Sequence, residues 1–581
     1  MKLDEPLARL EHTELIRRIH NPDAAYLFKH ALVQDTAYAS LLKHERKRLH
    51  RLIGETIEAL YPDALQDNAA LLVKHFAEAG DDAKILEYGT RAGNVEARIF
   101  AKPEAIAHYD AAFQAAVRLH APVVTISELA AKLGRMYELN ANYEGALDTY
   151  ARLMELSQAR GDARLELAAL MLQATVRATP TPVFEPRIGQ EICDRALVLA
   201  RALNDGAAEA KILWNLLLLN GFLGQPQQAI AYGEQSLALA RRLNLTEQIA
   251  YTLSDIGIYG YFANAEADKS RAVLSEARGM WRAQNNLPML GDNLNNSGIL
   301  EFIWGDFAQA QIYYQEALSV SERIGNAWGQ SLARGFKGLH HAEAGEFGSA
   351  LSDMQTAYAL VQHAGSGITL IAATNLSLMY TMVGETALAY DIIQIAKHDI
   401  EIPLYRAPAK SALAYASFLR GDMARAHAFL REAHPSKTLD LEFTFLPGII
   451  AHGEIGLADG HPEQVIAYMT ALVEILQNFG IGNFVADAEM YRGRALFQLA
   501  RFAEATAAFA RAYEFAARLH SQRALLHIYT HWARAERAQN NFARADDLSA
   551  QARAIRERIA ATLPETWRAA FNQIHRDAER Q

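Results

Sequence analysis

The sequence predicts an all-α array of about twelve antiparallel helix pairs, lying between a small helical block and a closing helix. Three observations predict this fold. Small-residue anchors recur about every 40 residues, alanine is abundant while β-branched runs are scarce, and 581 residues exceed what one compact core holds. Helical units of this period stack into elongated arrays. We expect the block at 1–82, the array at 83–562 and the closing helix at 563–581.

The block at 1–82 does not fit the repeat. Its segment from Tyr26, followed by the stretch from Leu71, resembles the region just after the nucleotide-binding domain of bacterial signalling ATPases, including those linked to class III adenylate or guanylate cyclases. The matching residues are Phe28, His30, Leu32, Gln34, Asp35, Tyr38, Leu41, Leu42, Arg46, Leu49, His50, His75, Phe76, Ala79, Gly80 and Asp81. The resemblance implies a remnant of a winged-helix-like module, with its last helix and wing between Leu7 and Tyr26 and a turn at Asn21-Pro22-Asp23. It also implies an upstream ATPase or cyclase as a partner.

The array is marked by one small residue after each predicted turn. These anchors are Ala105, Ala146, Gly189, Ala229, Ser270, Ala310, Ala350, Ala389, Ala426, Val465, Ala505 and Ala545. Gly189, Ser270 and Val465 depart from alanine, and the register is least secure there. Each unit is interpreted as two antiparallel helices, because glycine between helices supplies a left-handed C-cap and a neighbouring acidic residue favours the next N-terminus.

Two further positions accompany each anchor. A small residue often lies twelve positions before it, as at Gly93 and Gly298, and a large one lies four positions after it, as at Tyr109 and Tyr314. Small residues let two helix backbones approach and large ones fill the space between them. The pattern resembles the tetratricopeptide repeat, in the extended form of maltose-regulator-type bacterial proteins. This resemblance implies a right-handed superhelical solenoid that acts as a scaffold for protein binding in signal transduction.

The closing helix is predicted from IAATLPETWRAAFNQIHR, in which Trp567, Phe571 and Ile574 fall on one face. Repeat arrays need such an end to cover their last apolar surface.

Composition limits the partners. The net charge of −10 argues against nucleic acid, because DNA binders usually carry a basic excess. With Cys193 as the single cysteine, an intrachain disulfide is excluded and a reducing cytoplasm is favoured. The longest apolar stretch, Ile212–Gly224, is too short and polar to span a bilayer. We expect a cytoplasmic protein with no membrane contact.

The candidate groove lies on the first helix of each pair. Asn215, Asn296 and Asn375 occupy equivalent positions, and an amide ladder can hold an extended peptide because each amide both donates and accepts. The alternative is that asparagine is merely tolerated on an exposed face. The remaining groove candidates are Trp214, Asp255, Tyr259, Asp292, Asn295, Phe302, Tyr415 and Phe418.

Catalytic signatures are missing from the sequence. It contains no G-x-x-x-x-G-K-[ST] phosphate loop, H-E-x-x-H or G-x-S-x-G, and Gly480-Ile481-Gly482 lacks a third glycine. His527 and His531 share a helix face with no carboxylate at ligand spacing. We therefore predict neither an enzyme nor a cofactor or metal site.

Two functions follow. The first is a non-catalytic scaffold that docks a peptide, protein or small effector in its groove. The alternative is a transcription regulator that contacts DNA through the N-terminal block, where Lys43, Arg46, Lys47, Arg48 and Arg51 cluster. That cluster is also compatible with an ordinary solvated helix face.

Overall fold

The computed structural model describes residues 4–20, 24–99, 101–140, 142–179, 181–363, 367–397, 403–434 and 446–580. The chain divides into two compact units, Met1–Ala169 and Leu170–Gln581. Apart from one two-stranded sheet, the regular elements described are helical, which confirms the predicted all-α class.

Unit 1 begins with a helix and a β-hairpin, at the place where the resemblance implies a wing. Strands β1 and β2 pair antiparallel with Ile16 opposite Phe28, while the predicted turn at Asn21-Pro22-Asp23 lies outside the described residues. The elements are α1 (Asp4–His12), β1 (Ile16–His20), β2 (Ala24–Phe28), α2 (Ala31–Ser40), α3 (Lys43–Leu60), α4 (Ala69–Ala79), α5 (Asp82–Arg98), α6 (Lys102–Arg118), α7 (Val123–Leu139), α8 (Tyr143–Arg160) and α9 (Ala163–Ala178), which crosses the unit boundary.

Unit 2 continues the array. Its helices are α10 (Pro186–Ala202), α11 (Gly206–Phe222), α12 (Pro226–Arg242), α13 (Thr246–Asp255), α14 (Ala267–Ala283), α15 (Leu287–Trp304), α16 (Phe307–Arg323), α17 (Ala327–Ala344), α18 (Phe347–Val361), α19 (Gly367–Met382), α20 (Thr386–Ile392), α21 (Pro403–Leu419), α22 (Met423–Ala433), α23 (Leu446–Ala458), α24 (Pro462–Asn478), α25 (Val485–Gln498), α26 (Phe502–Arg518), α27 (Gln522–Ala538), α28 (Phe542–Thr562) and α29 (Glu565–Arg580). In chain order, α5 to α28 make twelve pairs.

The predicted packing rule is confirmed. A methyl group placed on Gly298 would lie 2.5 Å from the ring of Tyr314, and one on Gly93 would lie 2.7 Å from the ring of Tyr109. Glycine is required here because the ring of the second helix rests directly on the backbone of the first. A short loop between two helices that pack this closely makes them antiparallel.

The array of unit 2 folds back on itself. The amide of Gly482 donates to the carbonyl of Trp304 at 3.1 Å, and Arg523 pairs with Glu343 at 2.8 Å. The hydrogen-bonded pair Arg523 and Glu343 is 180 positions apart, which is about four and a half repeats of about 40 residues. Successive coils of unit 2 therefore touch.

The first helices of several pairs are buried around most of their circumference. In α11 the run from Ile212 to Asn220 is buried without interruption, and α15 and α19 are similar. A helix that is apolar on all sides belongs to an interior. The inner surface of unit 2 is thus more enclosed than the open groove that the repeat pattern predicted, because coils that touch cover the helices from a second side.

The predicted closing helix is α29. The ring of Phe571 is fully buried and lies 5.7 Å from the ring of Phe347, while Trp567 stacks on Tyr380 at 5.3 Å. The apolar face of α29 therefore packs on α18 and α19, eleven and ten helices back along the chain. Among the described helices, none is both long and apolar enough to cross a membrane.

Candidate binding site

The predicted groove residues separate into two groups. Trp214, Asn215, Asn295 and Phe302 are buried, whereas Asp255, Tyr259, Asp292, Asn296, Asn375, Tyr415 and Phe418 keep part of their surface exposed. Burial in helix packing removes Asn215, Asn295 and Phe302 from the reach of a bound molecule.

The asparagines do not form a continuous row of available amides. Asn215 is fully buried and shares a hydrogen bond of 3.3 Å with Thr175. Asn296 donates to Asp292 at 3.3 Å, and the buried amide nitrogen of Asn375 has no acceptor among the described residues. A peptide ladder stays a prediction only for Asn296 and Asn375.

Several of the remaining residues meet in what we name the acidic aromatic cluster, which consists of Lys211, Trp214, Tyr251, Asp255, Tyr259, Asp292, Asn296 and Tyr405. Trp214, Asp255 and Asn296 lie 41 positions apart in succession, on α11, α13 and α15. The repeat therefore places residues of the cluster on the first helices of three successive pairs. Tyr415 and Phe418 lie elsewhere on α21, with their rings stacked at 6.2 Å.

Hydrogen bonding and stacking fix the geometry of the cluster. The indole N–H of Trp214 donates to Oδ2 of Asp255 at 2.6 Å. The ammonium of Lys211 lies 3.8 Å from the centre of the Trp214 ring, and the Tyr251 ring lies 5.6 Å from it. An ammonium above an indole face is an attractive cation–π arrangement. The cluster thus already holds one cation against its aromatic wall.

A π-helix that follows α13 determines where the aromatic side chain of Tyr259 lies in the cluster. After Asp255 the chain forms a π-helix, Ile256–Tyr261, and then a short 3₁₀ turn, Phe262–Asn264. The hydroxyl of Ser270 donates to the carbonyl of Gly257 at 2.8 Å, so a polar anchor replaces alanine where the π-helix needs a donor. Isolated π-helical turns are frequent at functional sites because they redirect side chains. Here the turn carries Tyr259 into the cluster.

The two carboxyl groups are electrostatically unusual. Burial raises the pKa of Asp255 from 3.8 to about 7, with a further increase from the charge of Asp292 that the Trp214 hydrogen bond and Lys211 oppose. Burial also raises the pKa of Asp292 to about 6. At neutral pH Asp292 is largely ionised and Asp255 is near half protonation. The cluster therefore presents negative charge that is poorly solvated, which a cationic group would stabilise.

The tyrosines close the cluster. Burial, the nearby Tyr405 and the two carboxyl groups all raise the pKa of Tyr259, and burial followed by Asp292 raises the pKa of Tyr405. Both phenols are therefore neutral and remain hydrogen-bond donors. Tyr405 belongs to α21, far along the chain, and packs with Tyr259 against an apolar cluster that includes residues of α11.

Lys211, Tyr251 and Tyr405 were missed by the sequence prediction. Lys211 precedes Trp214 by three positions and was detectable as a helical neighbour on the same face. Tyr405 was not detectable, because no pattern relates it to α13.

Other predicted features have structural explanations. Gly482 contacts the backbone of Trp304 at a contact between coils. On α3, Arg51 lies 3.5 Å from Asp81 and Arg46 lies over the Tyr38 ring, whereas Lys43, Lys47 and Arg48 are exposed. In the described ranges, no three His, Cys, Asp or Glu side chains are placed to hold a metal ion.

An open cleft also lies where α17 and α18 meet the end of α28. It is lined by Lys337, His341, Gly348, Ser349, Ser352, Asp353, Thr562, Leu563 and Pro564. Its carboxylate, Asp353, already lies 3.2 Å from Lys337 and 3.4 Å from Arg334. The charges of this cleft are mutually compensated, in contrast to those of the acidic aromatic cluster.

Comparison with known proteins places the chain near helical-repeat structures at low similarity. No protein family profile and no curated protein matches it. Among solved structures it is similar to a signal transduction ATPase with numerous domains from Pyrococcus horikoshii that carries a tetratricopeptide repeat sensor, at 15% identity and a TM-score of 0.42, over 70% of this chain and 64% of that one. It is also similar to the Cut9–Hcn1 hetero-tetramer of the APC/C, at 14% identity and a TM-score of 0.42, over 85% and 93% of the two chains. The match thus spans less than two thirds of the Pyrococcus protein.

Proposed function

We propose that this protein is a non-catalytic binding module that takes a cationic group of a peptide, protein or small effector into the acidic aromatic cluster of unit 2. The observation that carries the proposal is that Asp255, hydrogen-bonded to the Trp214 indole, lies within electrostatic reach of Asp292. Asp255 and Asp292 are half-buried residues whose carboxyl groups have raised pKa values, so they gain from a positive partner. Aromatic faces next to carboxylates recognise ammonium and guanidinium groups.

Lys211 supports the proposal as an internal stand-in for the ligand. Its ammonium lies within 3.8 Å of the Trp214 ring centre and within 5.4 Å of the Tyr251 ring centre, and its charge lowers the pKa of Asp255. A ligand ammonium or guanidinium would form an ion pair with the carboxylate of Asp292, which accepts a hydrogen bond from Asn296 at 3.3 Å.

The test uses three peptide libraries whose central residue is basic, neutral or acidic. Binding is measured by fluorescence anisotropy against the full chain, Asp292→Asn and the control Asp391→Asn, which changes an exposed carboxylate of α20. We expect selection of basic peptides and loss of binding only in Asp292→Asn. Selection of neutral or acidic peptides would overturn the proposal.

Paired carboxyl groups with raised pKa values also occur in acid–base catalysis. The binding role predicts that a captured ligand is recovered chemically unchanged. Mass spectrometry of the ligand after prolonged incubation distinguishes the two, since cleavage products that depend on Asp255 would establish an enzyme.

The signalling context is proposed from the N-terminal block. Leu32, Leu42, Leu52 and Leu60 are all more than half exposed, on or beside α2 and α3. Exposed apolar side chains in one region indicate a surface that a partner covers. We propose an ATPase or cyclase domain as this partner, and co-purification that Leu32→Ser with Leu52→Ser abolishes would support it.

The alternative role, DNA contact through the block, is favoured by one observation, the exposure of Lys43, Lys47 and Arg48 on α3. It predicts a DNA mobility shift that weakens steeply with salt. A shift unaffected by Lys47→Gln with Arg48→Gln would eliminate the block as the DNA-binding element.

A further inference from the structure

A second polar cluster in unit 2 is basic, whereas the acidic aromatic cluster is acidic. Helix α27 presents His527, His531 and Arg534 at spacings of four and three residues, which places them on one helix face. Helix α29 brings His575 to this face, with its ring centre 5.5 Å from that of His527. Arg494 of α25 is electrostatically coupled to His531 and Arg534. We name His527, His531, Arg534 and His575 the histidine–arginine cluster.

The neighbouring cations have their own carboxylates. Arg494 forms a bidentate ion pair with Glu454. Glu454 also accepts a hydrogen bond from the hydroxyl of Tyr491 at 2.9 Å. Arg523 is held by Asp487 and Glu343, each at 2.8 Å. The available oxygens of these carboxylates are therefore engaged.

Arg534 differs from both. Its Nη1 donates to Nδ1 of His531 at 3.4 Å, and its guanidinium lies 5.8 Å from the centre of the Phe497 ring. Within the described part of the chain, no carboxylate lies within ion-pair distance of Arg534. Because a guanidinium only donates, Nδ1 of His531 must be its unprotonated nitrogen, so its proton is on Nε2. Arg534 is also half-buried, so its charge is neither compensated nor fully solvated.

Burial first, and neighbouring positive charge second, lower the pKa values of the imidazoles. Burial lowers the pKa of His527 to about 3, and Arg523 and Arg494 lower it further in the same direction. Burial also lowers the pKa of His575 to about 3. The pKa of His531 is lowered by burial and then by Arg494, Arg534, His527 and His575. All three rings are neutral at pH 7, and each keeps one N–H to donate.

We propose that the histidine–arginine cluster is a binding site for a small oxyanion group, of the phosphate or carboxylate type. Arg534 supplies the fixed charge and a planar set of donors that matches two oxygens of such a group. The imidazole N–H groups of His531, His527 and His575 supply the further donors. The site is separate from the acidic aromatic cluster and does not depend on the ligand proposed there.

Anion binding at this site is coupled to proton uptake. A bound negative charge favours imidazolium, so it raises the histidine pKa values and binding strengthens as the pH falls. The charged and titratable groups that act on His531 are Arg494 of α25, His527 and Arg534 of α27 and His575 of α29. Beyond them, Glu454 of α23, Tyr491 of α25 and Tyr415 of α21 act on Arg494, Arg523 of α27 acts on His527, and Arg556 of α28 acts on His575. Of these, Glu454 is the one carboxylate, and Arg494 neutralises it.

The test is isothermal titration of the full chain with inorganic phosphate and, separately, with acetate, at about pH 6 and about pH 8. Arg534→Gln removes the charge and keeps an amide donor. Arg537→Gln is the matched control, one turn further along α27, where the exposed Arg537 pairs with Asp546 at 2.7 Å. We expect Arg534→Gln to weaken binding about tenfold or more and Arg537→Gln to leave it unchanged. The affinity for acetate, which stays ionised over this range, should be higher at the lower pH.

The two anions distinguish the two kinds of ligand group. Tighter binding of phosphate indicates a phosphoryl group, and tighter binding of acetate indicates a carboxylate. Equal affinity in wild type and Arg534→Gln, or no binding of either anion, would overturn the proposal. If Arg534→Gln does not fold, Arg534→Lys keeps the charge without the planar donors and should still weaken binding several-fold.

Discussion

Trp214 donates its indole N–H to Asp255 at 2.6 Å, although 41 residues and a full helix pair separate them in the chain. The contact joins equivalent positions of two successive repeats, α11 and α13. Residues one repeat period apart therefore lie on neighbouring first helices, close enough to form a hydrogen bond. This relationship underlies the acidic aromatic cluster.

Replacing Asp255 by Asn should stabilise the protein at high pH. The pKa of Asp255 is raised from 3.8 to about 7, so the folded state binds this proton more tightly than the unfolded state. Its contribution to stability is present below about pH 4 and is lost as the pH rises through 7. Asn keeps an oxygen for Trp214 and has no charge to bury. We expect Asp255→Asn to be roughly 2–4 kcal/mol more stable than wild type at about pH 8.

The measurement is urea unfolding across this pH range, with Asp391→Asn as the exposed control. The advantage of Asp255→Asn should shrink to nearly nothing at about pH 4. An advantage that is constant with pH would show that Asp255 is not the titrating group.

Replacing Lys211 by Met should shift this pH dependence upward. Lys211 lowers the pKa of Asp255, so its loss makes the carboxyl group harder to ionise. The difference in unfolding free energy between Lys211→Met and Lys211→Met with Asp255→Asn should therefore appear at higher pH than in the wild-type background. An unchanged profile would place Lys211 too far from Asp255 in solution to matter.

Adding a methyl group at Gly298 tests the packing rule of the repeat. The new carbon would lie 2.5 Å from the Tyr314 ring, which must then move. We expect Gly298→Ala to destabilise unit 2 by roughly 1–3 kcal/mol. Gly279→Ala is the control, because its added carbon meets nothing within 4 Å and alanine is the better helix former. Thermal unfolding should show opposite shifts for the two variants, and parallel shifts would contradict the rule.

Breaking the contact between coils should be costly. Arg523 is 3% exposed and holds Glu343 of α17 and Asp487 of α25 together. Arg523→Met leaves two buried carboxylates without their partner, so we expect a loss of roughly 3–5 kcal/mol in urea unfolding. The triple variant Glu343→Gln, Asp487→Asn, Arg523→Met should recover much of that loss. No recovery would mean that Arg523 acts through its packing instead of its charge.

The sequence predicted the parts of the fold that depend on local spacing. Gly298 and Tyr314 meet because sixteen residues carry the chain down one helix and up the next, and such distances are set by helix geometry. The contact between Glu343 and Arg523 was not predictable in this way. It results from a small rotation per pair, accumulated over more than four pairs, and no single repeat encodes that rotation.

For the acidic aromatic cluster, too, the sequence predicted only the features that depend on local spacing. Trp214, Asp255 and Asp292 were identified from their place on the first helices. The burial that raises the pKa values of Asp255 and Asp292 was not, because it depends on packing that the repeat pattern does not encode. Among the described residues of the other repeats there is no second π-helix, and Tyr405 enters the cluster from α21. Asn215 was misjudged as accessible for a related reason, because α11 is buried around most of its circumference.

The most direct test of the binding role is isothermal titration of the tightest-binding basic peptide with wild type, Asp292→Asn and Asp391→Asn at neutral pH. Asp292 carries the charge there, since its pKa is about 6. A cationic ligand held by this carboxylate predicts at least about tenfold weaker binding to Asp292→Asn and unchanged binding to Asp391→Asn. Equal affinity in all three proteins would contradict the account.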